Sequence, residues 1–169
     1  TGFGCRIQVP AFRAAGFEIV GLVGTDPGRT AQRAAESDVA ASFTNFGQAI
    51  EESGATVAAI STPPATHGRL SIEALERGCH VLCEKPFARD AAEAGAMLEA
   101  ARKAGKVHIL GNEFRFVPQR AAIARAIAEG MIGEPRVASL VQYSSYVSSF
   151  EEDIPEWWFD PEEGGGWLG

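Results

Sequence analysis

The chain has 169 residues, 46% hydrophobic and 22% charged, which suits an ordinary globular fold able to bury a core without metal or disulfide staples. Fifteen basic against twenty-two acidic side chains give a net charge of −7; with no basic block to neutralise a run of phosphates, nucleic-acid binding is not expected. No apolar run approaches the roughly 20 residues of a membrane span, and the three cysteines, Cys5, Cys79 and Cys83, lack paired spacing, so the reading is no membrane or secretory segment, reduced thiols and a cytoplasmic location.

Thr1-Gly2-Phe3-Gly4-Cys5 reads as a glycine turn feeding a helix over residues 6–15. Free N–H groups and the helix dipole at such a place receive a pyrophosphate, although an ordinary tight turn looks the same. Residues 17–23 are apolar and β-branched, a strand running into the turn Gly24-Thr25-Asp26-Pro27. A helix over 29–37, a short extended piece at 42–43, a helix over 46–52 stopped by Gly54 and a buried strand at 56–60 follow. Ser61-Thr62-Pro63-Pro64 ends that strand, a helix spans 66–77 with Gly78 as its stop, and 78–83 is a strand that ends at Glu84-Lys85-Pro86. Asp90 caps a helix over 91–104, Gly105 closes it, and 107–110 is a further strand. Beyond Pro118 comes a helix at 119–129 and an alternating run at 136–143 that suggests an antiparallel sheet.

Alternating strands and helices of about 10–15 residues indicate an α/β fold, a Rossmann-like doubly wound parallel sheet over 1–118. Residues 119–169 read as the start of a second α/β domain with a mostly antiparallel sheet. Both ends look cut: a strand before Thr1 is expected, and the segment alone, without that central strand, is expected to be unstable and inactive.

Ligands of an open α/β sheet bind outside the carboxyl ends of its strands. Glu84 and Lys85 fall at such an end, and Pro86 holds Lys85 extended or in a turn, with the peptide bond between them cis or trans. The position about 20 residues after the glycine turn, where a carboxylate normally holds the ribose hydroxyls, is Gly24. Its neutrality, with Thr25 as a donor and Arg29 as a charge, favours NADP over NAD. In the other reading Asp26 reaches back to the ribose, or Arg29 is merely a solvated helix residue. Ser61, Thr62 and Pro63 are placed to line the cofactor; His67 either joins them or is satisfied by nearby backbone. Glu113 and Arg115 pair with each other or face the cleft, while Phe114 and Phe116 read as core at a domain junction. Trp157 and Trp158 pack, or stack on a sugar ring. Cys79, His80 and Cys83 are not taken as a metal site, since a strand turns His80 away from both thiols.

The Gly2/Gly4 turn, Ser61-Thr62-Pro63-Pro64 with His67, Cys83-Glu84-Lys85-Pro86, Arg115-Phe116-Val117-Pro118 and Gly164-Gly165-Gly166 together resemble the Gfo/Idh/MocA oxidoreductase family. The resemblance implies an NAD(P)-dependent dehydrogenase or reductase that moves a hydride between a nicotinamide and the carbinol or carbonyl carbon of a sugar, cyclitol or related polyol. It also implies a homo-oligomer at full length. The residue matching Lys85 then lies beside nicotinamide and substrate as the catalytic group, and the one matching Glu84 helps set the cofactor's ribose. A histidine from a later helix completes such sites and lies beyond Gly169. A free lysine has a pKa of about 10.4, so Lys85 is read as an electrostatic stabiliser and relay member rather than the main base. The rival of another class is a non-catalytic dinucleotide-binding, redox-sensing module. An S-adenosylmethionine-dependent transferase shares the glycine turn but gives no reason for Glu84-Lys85-Pro86.

Overall fold

A computed structural model describes residues 2–141, 143 and 159–164. The chain divides into two compact units, Thr1–Gly111 with Trp157–Gly169, and Asn112–Glu156. The division falls at Gly111, ahead of the expected boundary after residue 118, and the C-terminal stretch joins the first unit, where the Ala65 N–H donates to the Glu163 carbonyl at 3.1 Å.

In the first unit five short strands, β1 (Leu22–Val23), β2 (Ser42–Phe43), β3 (Val57–Ile60), β4 (His80–Cys83) and β5 (His108–Leu110), alternate with α1 (Val9–Ala14), α2 (Pro27–Glu36), α3 (Phe46–Ser53), α4 (His67–Glu76) and α5 (Ala91–Ala104). Among the described residues all pairings are parallel, in two sheets ordered β1-β2 and β3-β4-β5. Helix ends follow from local chemistry. Asp26, Asn45 and Asp90 each accept a backbone N–H three residues on, at 2.7, 2.9 and 2.8 Å, satisfying donors that a helix start leaves bare. Gly54 and Gly105, in left-handed geometry, end α3 and α5, a conformation that costs other residues a Cβ clash.

One face of β3 and β4 supplies Ala58, Ile60, Val81 and Cys83 to a core completed by Ile50, Leu70, Ala74, Leu75, Cys79, Met97 and Ala101. Burying a side chain such as Ile60 there contributes about 1.5–3 kcal/mol. Cys79 and Cys83 are core residues, while His80 points the other way and accepts the Val107 N–H at 3.0 Å.

The register positions the site. Ile60, Cys83 and Leu110 are the last paired residues of their strands, with Cys83 opposite both of the others. The ladder runs one residue further, since Glu84 N–H donates to the Ile60 carbonyl (2.9 Å) and Gly111 N–H to the Cys83 carbonyl (2.7 Å). Ser61, Glu84 and Gly111 therefore emerge side by side at the carboxyl edge.

Several expectations are corrected. The anticipated glycine turn is helical: Gly2 and Phe3 are already helical, and Gly4–Gln8 forms a wide π turn closed by the Val9 N–H on the Gly4 carbonyl. The strand expected at 17–23 pairs only at Leu22–Val23, because β2 is equally short and the described residues offer no other partner. In the second unit, a 3-10 turn (Glu113–Phe116) precedes α6 (Pro118–Ala128), but residues 136–141 and 143 form no strand. Val137 and Leu140 are 89% and 88% exposed, and no partner strand for this run lies among the described residues; a strand needs such a partner for its backbone groups. Phe114 and Phe116 are exposed rather than core, with Arg120 and Arg115 each 5.4 Å from their ring centroids.

Candidate functional site

At the carboxyl edge of β3, β4 and β5, three backbone segments and the N-terminal helix meet. The π turn brings Gly4 against Ser61, so closely that a Cβ on Gly4 would lie 2.7 Å from the Ser61 hydroxyl. It also presents Gln8, one turn on and buried, whose Nε2 donates to Glu84 Oε1 at 2.8 Å. Turns of this kind recur at functional sites because they redirect a side chain without ending the helix.

Glu84 is only 8% exposed. Its carboxylate rests against Gly111, where a Cβ would stand 2.8 Å from Oε1 and 3.1 Å from Oε2, and the Lys85 N–H lies 3.4 Å from Oε2. A buried carboxylate is costly unless donors compensate it, so this one is held in place by the first helix, its own strand and the end of β5. Lys85 follows, exposed, on a cis peptide bond to Pro86. Among the described residues its ammonium makes no hydrogen bond or ion pair. The Cys83 thiol beneath is pushed up to about 11 by burial, only partly offset by the Ser71 hydroxyl, so it is an inert core thiol.

His67 was read either as lining the cofactor or as satisfied by nearby backbone, and its contacts are of the second kind: it is 1% exposed, with Nε2 2.9 Å from the Thr62 carbonyl and Nδ1 2.9 Å from the Pro86 carbonyl. The ring ties the loop after β3 to the loop after β4 and has no face left for a ligand. Thr66 reinforces the first loop, its hydroxyl 2.6 Å from that of Thr62 and 2.9 Å from the Pro63 carbonyl. Ser61, Thr62 and Pro63 are half-buried along this loop. Gly164 packs on its other side, where a Cβ would meet Pro64 at 2.6 Å.

The remaining residues are more scattered. Gly2 is exposed with open space around it. Thr25 and Arg29 are exposed at the start of α2, and Asp26 spends Oδ1 on capping that helix. Glu113 and Arg115 are exposed on the 3-10 turn of the second unit; Trp157 and Trp158 lie outside the described residues. Gln8 and Gly111 were not anticipated. A polar residue between Ile7 and Val9, four places after Gly4, and a glycine directly after a strand were their signals in the sequence.

Residues 1–112 match the model of the GFO_IDH_MocA family, described as an oxidoreductase family with an NAD-binding Rossmann fold. Among curated proteins, 1,5-anhydro-D-fructose reductase of Ensifer adhaerens is 33% identical over 159 residues, 94% of this chain and 46% of that protein. Inositol 2-dehydrogenase 4 of Saccharopolyspora erythraea is 32% identical over 124 residues, 73% of this chain and 37% of that protein. A solved levoglucosan dehydrogenase in complex with NADH and levoglucosan superposes with a TM-score of 0.71 at 27% identity, covering 79% of this chain and 38% of its own. The chain thus spans less than half the length of these relatives.

Proposed function

The chain belongs to the Gfo/Idh/MocA oxidoreductase family, and from that premise we propose that the full-length protein is a nicotinamide-dependent dehydrogenase or reductase of sugars, cyclitols or related polyols. The bound dinucleotide supplies a hydride acceptor or donor for a carbinol or carbonyl carbon. Relatives named as an anhydrofructose reductase, an inositol dehydrogenase and a levoglucosan dehydrogenase support this substrate class.

The observation that carries the reading is the convergence of Gly4, Ser61, Glu84 and Lys85 at one carboxyl edge. The residues fit a dinucleotide. Gly4 leaves the helix start uncovered where a side chain would collide with Ser61, and the N-terminal N–H groups of a helix favour phosphate. Ser61, Thr62 and Pro63 border the same crevice. Glu84 would help hold a ribose of the cofactor. The exposed Lys85 ammonium hydrogen-bonds the reacting oxygen and stabilises negative charge that develops there.

NADP is the preferred dinucleotide in this reading. Thr25 and Arg29 are exposed where the 2′-phosphate would lie, and the Asp26 carboxylate is drawn into its own helix cap. Glu113 and Arg115, with Trp157 and Trp158, are assigned to the substrate side. The proposal extends to a cytoplasmic location and a homo-oligomeric state at full length.

Fluorescence titration of the full-length protein with NADPH and NADH, then a turnover screen over polyols and ketoses, tests the reading. Micromolar binding with turnover is expected. Tight binding with no turnover would instead favour a redox-sensing module, and absence of binding would refute both.

A further inference from the structure

We infer that Gln8 is a positioning residue, which sets the Glu84 carboxylate toward the cofactor by holding its Oε1; this role rests on the cofactor reading above. The pair is separated by 76 residues, fully within the first unit, and buried at both ends, with a donor–acceptor distance of 2.8 Å. Hydrogen bonds to a buried carboxylate are among the stronger ones in proteins, and losing one is correspondingly costly.

The geometry is specific in three ways. The π turn is what directs Gln8 inward: Gly4 and Gln8 bound it, and both are buried while Arg6 and Ile7 between them are exposed. The same turn that packs Gly4 on Ser61 thus delivers an amide donor to Glu84. Gly111 forms the other wall, its missing side chain giving the carboxylate its place. An amide, unlike a lysine, supplies a donor and no countercharge, so it orients the Glu84 carboxyl group without adding an ion pair to it. The first helix therefore acts on the dinucleotide twice, through its own N–H groups and, at a distance, through Glu84.

The test uses the full-length protein with Gln8→Leu and Gln8→Glu, dissociation constants for NADH and NADPH read from pH 6 to 9, and melting curves without cofactor. Gln8→Leu keeps the volume and removes the donor; a roughly 10- to 100-fold weaker cofactor affinity is expected at every pH. In Gln8→Glu two carboxylates meet at hydrogen-bond distance and share one proton. The folded pair then binds that proton more tightly than the unfolded chain. Affinity and melting temperature approach wild type at low pH and fall as pH rises through the raised pKa, a dependence absent from wild type. This reversible response decides the matter even if Gln8→Leu folds poorly. Cofactor affinity within twofold of wild type in Gln8→Leu, or a Gln8→Glu profile parallel to wild type, overturns the positioning role alone. Failure of the wild-type protein to bind either dinucleotide overturns the cofactor reading and this role with it.

Discussion

Substituting Gly111 by alanine tests the packing that fixes Glu84. The new methyl would stand 2.8 Å from Oε1, 3.0 Å from Cδ and 3.1 Å from Oε2 of Glu84, all inside normal contact distance, so the carboxylate has to retreat. Retreat breaks the 2.8 Å bond from Gln8, worth about 1.5–3 kcal/mol for a charged acceptor, and overpacking adds about 1–3 kcal/mol. Against this, alanine gains about 0.4–1 kcal/mol by restricting the unfolded chain. The net expectation is a loss of about 1.5–5.5 kcal/mol, with weaker dinucleotide affinity because the displaced group is the one assigned to the ribose. Urea unfolding of the full-length protein reads the first quantity as a lower midpoint at unchanged slope, and NADH titration reads the second. Gly95→Ala is the control: it lies inside α5 with nothing within 4 Å of the added methyl, and a gain of about 0.5–1 kcal/mol is expected. If Gly111→Ala unfolds at the wild-type midpoint and binds NADH as wild type does, the account of Glu84 is wrong.

Three further outcomes follow from the same structure. His67→Ala removes a buried ring that lies 2.9 Å from the Thr62 and Pro86 carbonyls and opens a void, so a loss of about 2–4 kcal/mol is expected in calorimetric or urea unfolding; a change below about 0.5 kcal/mol would contradict the loop-tying role. Iodoacetamide at pH 8 should label half-buried Cys5 and spare Cys79 and Cys83, both raised by burial and enclosed in the core, until denaturant is added; mass spectrometry of the native protein finding Cys83 labelled first would refute this. Burial alone pushes the Glu93 carboxyl up, but hydrogen bonds and charge from Arg89 bring it net below its usual range. A lowered native pKa means stability that is present above the unfolded carboxylate pKa of about 4.3 and lost as pH falls through the native one. Arg89→Ala should therefore cost stability at pH 7 and converge on wild type at acid pH, and an offset that persists at low pH would contradict the linkage.

The alternation of strands and helices was legible because its signals are local. Asp90 and the stops at Gly54, Gly78 and Gly105 each act within a few residues, and the apolar runs at 56–60 and 78–83 became β3 and β4. Glu84 and Lys85 were legible because a charged pair directly after a buried strand has to emerge at its carboxyl end. What depended on distant partners was not. Residues 17–21 have strand composition but a ladder needs a neighbour, and the run at 136–143 alternates correctly yet has none among the described residues. The interior role of His67 required the Pro86 carbonyl, 19 positions away. Gln8 looked like one more helix residue because Glu84, the group it serves, lies 76 positions further on.

The most direct test of the central claim is the Lys85→Ala variant of the full-length protein, assayed for turnover and for dinucleotide affinity on one preparation. An exposed ammonium whose chief work is at the reacting oxygen predicts a fall in kcat of roughly 10²–10³ with affinity for NADPH or NADH changed by less than about threefold. Turnover at the wild-type rate would remove Lys85, and with it the enzymatic reading of this carboxyl edge.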